Sequence, residues 1–249
     1  MKRALLLLLF GCIGTTGGSI VDFPAVARAV PEAKDFTNDR GWHITLSKAR
    51  LHIGAVYLDA ALPVSGAQSS ECILPGTYVA EITNGLDVDL LSANAQPFPD
   101  LGHGTTTAAL AAQVWLTSGD VDVVDDSTPM LEIEGVADRA GDVRPFAGTI
   151  TIGKNRVIGT TATPGANPIC KQRIVSPIPT AVGVGQSGTL RLTIDARLLF
   201  ANVDLADLQK QGTTYVFSDA PGSDTYTQPS INLWQNLHSA GLYTFSWEP

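Results

Sequence analysis

The stretch Gly41-Trp42-His43-Ile44-Thr45-Leu46-Ser47-Lys48-Ala49-Arg50-Leu51-His52-Ile53-Gly54-Ala55-Val56-Tyr57-Leu58 decides the fold. Trp42 to Leu46 alternates apolar and polar residues, and Ala49 to Leu58 is a longer run of strand-forming residues. A period of two belongs to a half-buried strand, because successive side chains point to opposite faces. His43 and His52 stand an odd number of residues apart, so on one regular strand they face opposite ways. They converge only through a bulge or turn, for which Ser47-Lys48 is the natural place.

The same pattern continues outward. Thr77 to Ile82, Gln113 to Thr117, Val121 to Val124, Leu131 to Val136, Phe146 to Ile152, Arg156 to Thr161 and Thr189 to Asp195 read as further strands. Ser118-Gly119-Asp120 and Gly153-Lys154-Asn155 read as turns between them. Two helical pieces interrupt the series. Ala196 to Gln211 allows one or two short turns, ending before Gly212. Ser230 is placed to cap a helix running through Leu233, Trp234 and Leu237, with Gly241 as its stop. Leu242 to Trp247 returns as a last strand. Many short strands separated by Gly, Pro and Asn turns predict an all-β, sandwich-like fold of antiparallel sheets with one or two short helical insertions.

The 249 residues, 44% hydrophobic and 16% charged, are enough to build a core in a single domain. The net charge of −8, with no Lys/Arg cluster, argues against a nucleic-acid partner.

The N-terminus reads as an export signal. Lys2 and Arg3 precede the apolar run Ala4 to Phe10, too short to span a bilayer but sufficient for a signal-peptide core. The run ends in Leu9-Phe10-Gly11-Cys12, which resembles the bacterial lipobox. Leu9, Gly11 and Cys12 fit that pattern, and Phe10 departs from its usual small residue. The resemblance implies cleavage before Cys12, lipidation of Cys12, and a membrane partner reached through the lipid. Ile13 after the cysteine, rather than Asp, favours the outer membrane. The alternative is an ordinary secretory signal cleaved near Ala27 or Ala29. The expected organisation is a lipoprotein-type signal peptide over 1–12, a flexible Gly/Ser/Thr linker over 13–20, and one β-rich domain over 21–249. With Cys12 lipidated, Cys72 and Cys170 remain. In an oxidising compartment they are expected to pair, the alternative being two buried thiols.

His103 leads the candidate site residues. It lies in Asp100-Leu101-Gly102-His103-Gly104-Thr105, where flanking glycines let the backbone approach closely and leave the imidazole accessible. Asp100 stands ready as a ligand or supporting carboxylate, and His52 and His43 are the further imidazole candidates. No HxH or HExxH spacing is present. Asp87, Asp89, Asp120, Asp122, Asp125 and Asp126 raise calcium, but they match no EF-hand loop and read as solvated strand faces. The aromatic residues raise a sugar platform, yet nothing in the sequence groups them on one surface. Val184-Gly185-Gln186-Ser187-Gly188 is not a nucleophile elbow. Glu132 and Glu134 share a strand face, where paired carboxylates outside a cleft are ordinary surface.

The quoted opening stretch resembles uncharacterised exported bacterial lipoproteins that begin a β-domain in this way. The closing Trp-containing strand bears a faint similarity to periplasmic copper-associated β-sandwich proteins. The expectation is a non-catalytic binding lipoprotein of the envelope, outer-membrane-anchored or periplasmic, with a copper or zinc ion as ligand. The alternatives are a surface interaction module that binds another envelope protein, and a hydrolase of envelope polymers.

Overall fold

A computed structural model describes residues 18–62, 76–117, 127–153, 169–221 and 223–249. The quoted stretch forms one long strand, His43–Ile53, and then, after Gly54, a second, Ala55–Asp59. Ser47-Lys48 does not end the first strand. It is a bulge: Glu134 and Gly135 on the neighbouring strand pair with Lys48 and Leu46, leaving Ser47 as the extra residue. The bulge resets the phase of the strand. His43, Thr45 and Ser47 face outward before it, and Lys48, Arg50 and His52 after it, while Leu46, Ala49 and Leu51 stay buried.

The two halves of this stretch enter different sheets. Ala55–Asp59 lies inside a six-stranded antiparallel sheet ordered Ile20–Phe23, Gly102–Thr105, Tyr78–Ile82, Ala55–Asp59, Ala108–Trp115, Ile174–Gly183. His43–Ile53 belongs to a seven-stranded sheet. One of its edges pairs with Pro129–Arg139, and the other is shared by Asp35–Thr37 and Leu86–Asp89. Pro129–Arg139 turns back into Asp142–Thr151 through Ala140 and Gly141, both at positive φ (54° and 88°) as a tight hairpin demands. A four-stranded sheet carries Thr189–Ile194 and the final strand Tyr243–Glu248. The class is all-β and sandwich-like as expected, but two pairings are parallel: Asp142–Thr151 with Thr214–Phe217, and Thr189–Ile194 with Ala25–Ala29.

Three local features refine the pattern. Ile174–Gly183 is a strand despite Pro177 and Pro179, and it tolerates them because it lies at the sheet edge. The helix starts at Gln228 with Thr227 before it, not at Ser230. Ser230 Oγ instead accepts the buried backbone N–H of Ser218 at 2.9 Å. That helix ends at Leu237, and Gly241 lies in a separate turn of 3-10 helix. The Ala196 to Gln211 region gives two short 3-10 turns, capped by Asp195 and Asp204, and then a strand at Gln209–Gln211. The expected strands Val121 to Val124 and Arg156 to Thr161, Cys12, Cys72 and Asp120 to Asp126 lie outside the described residues.

Phe146, Phe200 and Phe217 meet at centroid distances of 5.8 to 6.2 Å and are fully buried. Each such ring stabilises the fold by roughly 1.5–3 kcal/mol. Trp42 is also fully buried, with Arg139 stacked 4.3 Å from its ring and its indole donating to Asp204 at 2.8 Å. No helix among the described residues is long and apolar enough to cross a membrane.

Candidate functional site

The Gly102-His103-Gly104 motif is a strand, not a loop, and its glycines answer to packing. A Cβ on Gly102 would lie 2.4 Å from Phe23, and one on Gly104 2.5 Å from the Ala80 Cβ and 2.7 Å from the Val79 carbonyl oxygen. The close approach sets His103 on the outer face of the six-stranded sheet, in register with its neighbours on both sides. Asp22 pairs with His103, His103 with Glu81, Glu81 with Tyr57, and Tyr57 with Gln113. Five strands thus contribute one polar row, at the spacing of adjacent strands.

At one end of the row, Asp22 Oδ1 lies 2.7 Å from His103 Nδ1. A carboxylate on one ring nitrogen fixes the tautomer and leaves the other for a ligand. His103 and Glu81 share the lining of a shallow depression of about 320 Å³ with Tyr78 and Thr105. At the other end, Tyr57 lies between Tyr78 and Trp115 with its ring tilted against both, at centroid distances of 5.1 and 4.9 Å. Trp115 donates its indole N–H to Gln113 at 3.2 Å, and Gln113 donates to Asp59 Oδ2 at 2.9 Å. Asp59 is fully buried, and its other oxygen has no hydrogen-bond partner.

The electrostatics follow from burial and from the surrounding acids. Burial pushes the Tyr57 hydroxyl above its ordinary pKa, with the Glu81 carboxylate adding to the shift. Tyr78 is raised by burial and by Asp59, against a hydrogen bond from Gln113. Asp59 is raised by burial, only partly offset by Gln113.

The four sequence candidates do not gather at one point. Asp100 accepts a hydrogen bond from Asn84 rather than supporting His103. His43 lies 3.1 Å from Asp35, and His52 lies 2.8 Å from Asp87, both on the seven-stranded sheet. The bulge puts these two histidines on one face, but each is engaged by its own aspartate. Among the described residues no three His, Cys, Asp or Glu side chains are grouped to hold a metal ion. Asp87 is taken up by Arg50 and His52, and Asp89 accepts from the Leu91 and Gln96 regions through its side chain and carbonyl. Glu132 pairs with Lys48 and Arg50. These acids are neutralised surface, not a catalytic pair. Cys170 is buried, and its expected partner lies outside the described residues. The sequence missed Asp22, whose hydrogen-bond partner is 81 residues away, and it missed the grouping of Tyr57, Tyr78 and Trp115.

No family model matches the chain, and no curated protein matches it. Among solved structures, MbnP from Methylosinus trichosporium is similar, with a TM-score of 0.44 and 10% sequence identity, over 92% of this chain and 99% of that one.

Proposed function

We propose that the chain is an exported, non-catalytic binding protein of the cell envelope, lipid-anchored through Cys12, whose ligand face is the outer surface of the six-stranded sheet. The ligand is a copper or zinc ion held at His103. The observation that carries the reading is the Asp22–His103 hydrogen bond at 2.7 Å. It orients an exposed imidazole whose second nitrogen is available, beside Glu81 in the same row. Imidazole suits both metals, and a carboxylate is an ordinary companion ligand for zinc. Two protein donors completed by solvent make an open, exchangeable site rather than a closed structural one. His43 and His52 leave the donor set because they lie on the seven-stranded sheet, and Asp100 because its side chain is bonded to Asn84.

The test is elemental analysis of the mature protein, purified from the envelope without a histidine tag and equilibrated with limiting copper or zinc. One ion per chain, lost in His103→Ala and weakened in Asp22→Asn, supports the reading. Stoichiometric metal retained in His103→Ala, or none in the native protein, sinks it.

A further inference from the structure

The six strands of the candidate sheet contain no Lys and no Arg. Its acids Asp22, Glu81 and Asp59 all belong to the outer face. Glu81 is exposed and makes no hydrogen bond or ion pair. Beside it, the Tyr78, Tyr57 and Trp115 rings form a continuous strip, with Tyr78 46% exposed. An aromatic face carries negative electrostatic potential and attracts cations within about 6 Å. Carboxylates at its side, with no Lys or Arg within the six strands, make the strip attractive to a cation. A bare metal ion gains little from ring faces. A bulky, weakly hydrated cation gains from both the rings and the acids.

We propose that the Trp115–Tyr57–Tyr78 strip, with Glu81 at its side, is a binding subsite for a small soluble quaternary ammonium compound. The methylated head group lies against the rings, and Glu81 supplies the counter-charge. The depression next to Glu81, about 320 Å³, is at the small end of ligand pockets and matches a head group rather than a polymer. This subsite shares Glu81 and the depression with the ion site proposed at His103, so the two ligands compete there, while the Trp115 and Tyr57 rings belong to the subsite alone.

Choline, tetramethylammonium and the neutral isostere 3,3-dimethylbutan-1-ol are titrated against the mature protein by ligand-observed saturation-transfer NMR. Choline and tetramethylammonium should bind saturably, and the isostere about tenfold more weakly, as expected for an exposed cation–π contact reinforced by a carboxylate. Trp115→Leu and the exposed Glu81→Gln should each weaken choline several-fold. Choline is titrated into metal-free protein, and Trp115→Leu should leave metal retention unchanged, so the two readings fail separately. Equal binding of the isostere overturns the proposal. So does the absence of saturation by choline, capture only by phosphatidylcholine vesicles, or a preference for neutral oligosaccharides.

Discussion

Replacing Gly104 by Ala tests the packing that sets His103 in its row. The added methyl would sit 2.5 Å from the Ala80 Cβ, 2.7 Å from the Val79 carbonyl oxygen and 2.9 Å from the Ala80 Cα. Comfortable carbon contacts are about 3.5–4.0 Å, so Gly102–Thr105 must part from Tyr78–Ile82 by about an ångström. The obstacles are backbone atoms and a Cβ, so no side chain can swing away to relieve them. Overpacking of this kind costs about 1–3 kcal/mol. Losing glycine's freedom in the unfolded chain returns about 0.4–1 kcal/mol. The net expectation is a loss of up to about 2.6 kcal/mol. Gly183, in the edge strand of the same sheet, supplies the control. A Cβ there meets nothing within 4 Å, so Gly183→Ala should be neutral or slightly stabilising. Urea unfolding of the mature protein, followed by circular dichroism, measures both. A Gly104→Ala protein as stable as Gly183→Ala would refute the close-approach account of the GHG motif, and with it the geometry assigned to His103.

Three further outcomes are expected. Burial acts to raise Asp87, but hydrogen bonds from His52 and Arg50 outweigh it and hold the carboxyl below its ordinary pKa. Its stabilisation is therefore complete above the unfolded value of about 3.9 and is lost as pH falls through the folded one. Because the carboxylate is 44% exposed, the gap between native protein and Asp87→Asn should be under about 1 kcal/mol at pH 6 and should narrow progressively as the pH is taken below about 3.9. If Cys72 and Cys170 pair, non-reducing peptide mapping recovers one cross-linked fragment, and Cys72→Ala costs about 4–5 kcal/mol for a loop of about 100 residues. Two alkylatable thiols in the unfolded native protein would rule the bridge out. Cys12→Ala should move the protein from the membrane pellet to the soluble periplasmic fraction, and unchanged fractionation would exclude the lipid anchor.

Period-two alternation was enough to mark the strands around His43, Leu131 and Thr189, because burial on one face imposes it directly. The proline-bearing Ile174–Gly183 strand was hidden, since an edge position excuses residues that a central strand forbids. The site was less legible than the fold. His103 was visible as an unusual residue between glycines, but its partner follows from sheet register. Register depends on which strands become neighbours, and Asp22 and His103 come together only when an N-terminal strand joins the sheet. Asp100, three residues from His103 in sequence, is the nearer acid along the chain, but its side chain meets Asn84 instead. The aromatic strip is similar: residues 57, 78 and 115 come from three strands and share no local signal.

The two large sheets also treat charge differently, and the contrast bears on where function lies. On the seven-stranded sheet, Lys48, Glu132, Arg50, Asp87 and His52 form a continuous chain of opposite charges. Such a chain keeps a surface soluble and neutral, and it leaves no charge seeking a partner. On the six-stranded sheet, Glu81 stands unpaired and Asp59 is buried with one oxygen unsatisfied. A buried, unsatisfied carboxyl costs stability that a fold under no other demand would recover by substitution. The six strands carry no Lys or Arg that could pair these acids. The cost is therefore concentrated on the face that also holds an oriented imidazole and an exposed aromatic strip, where a bound cation would offset it.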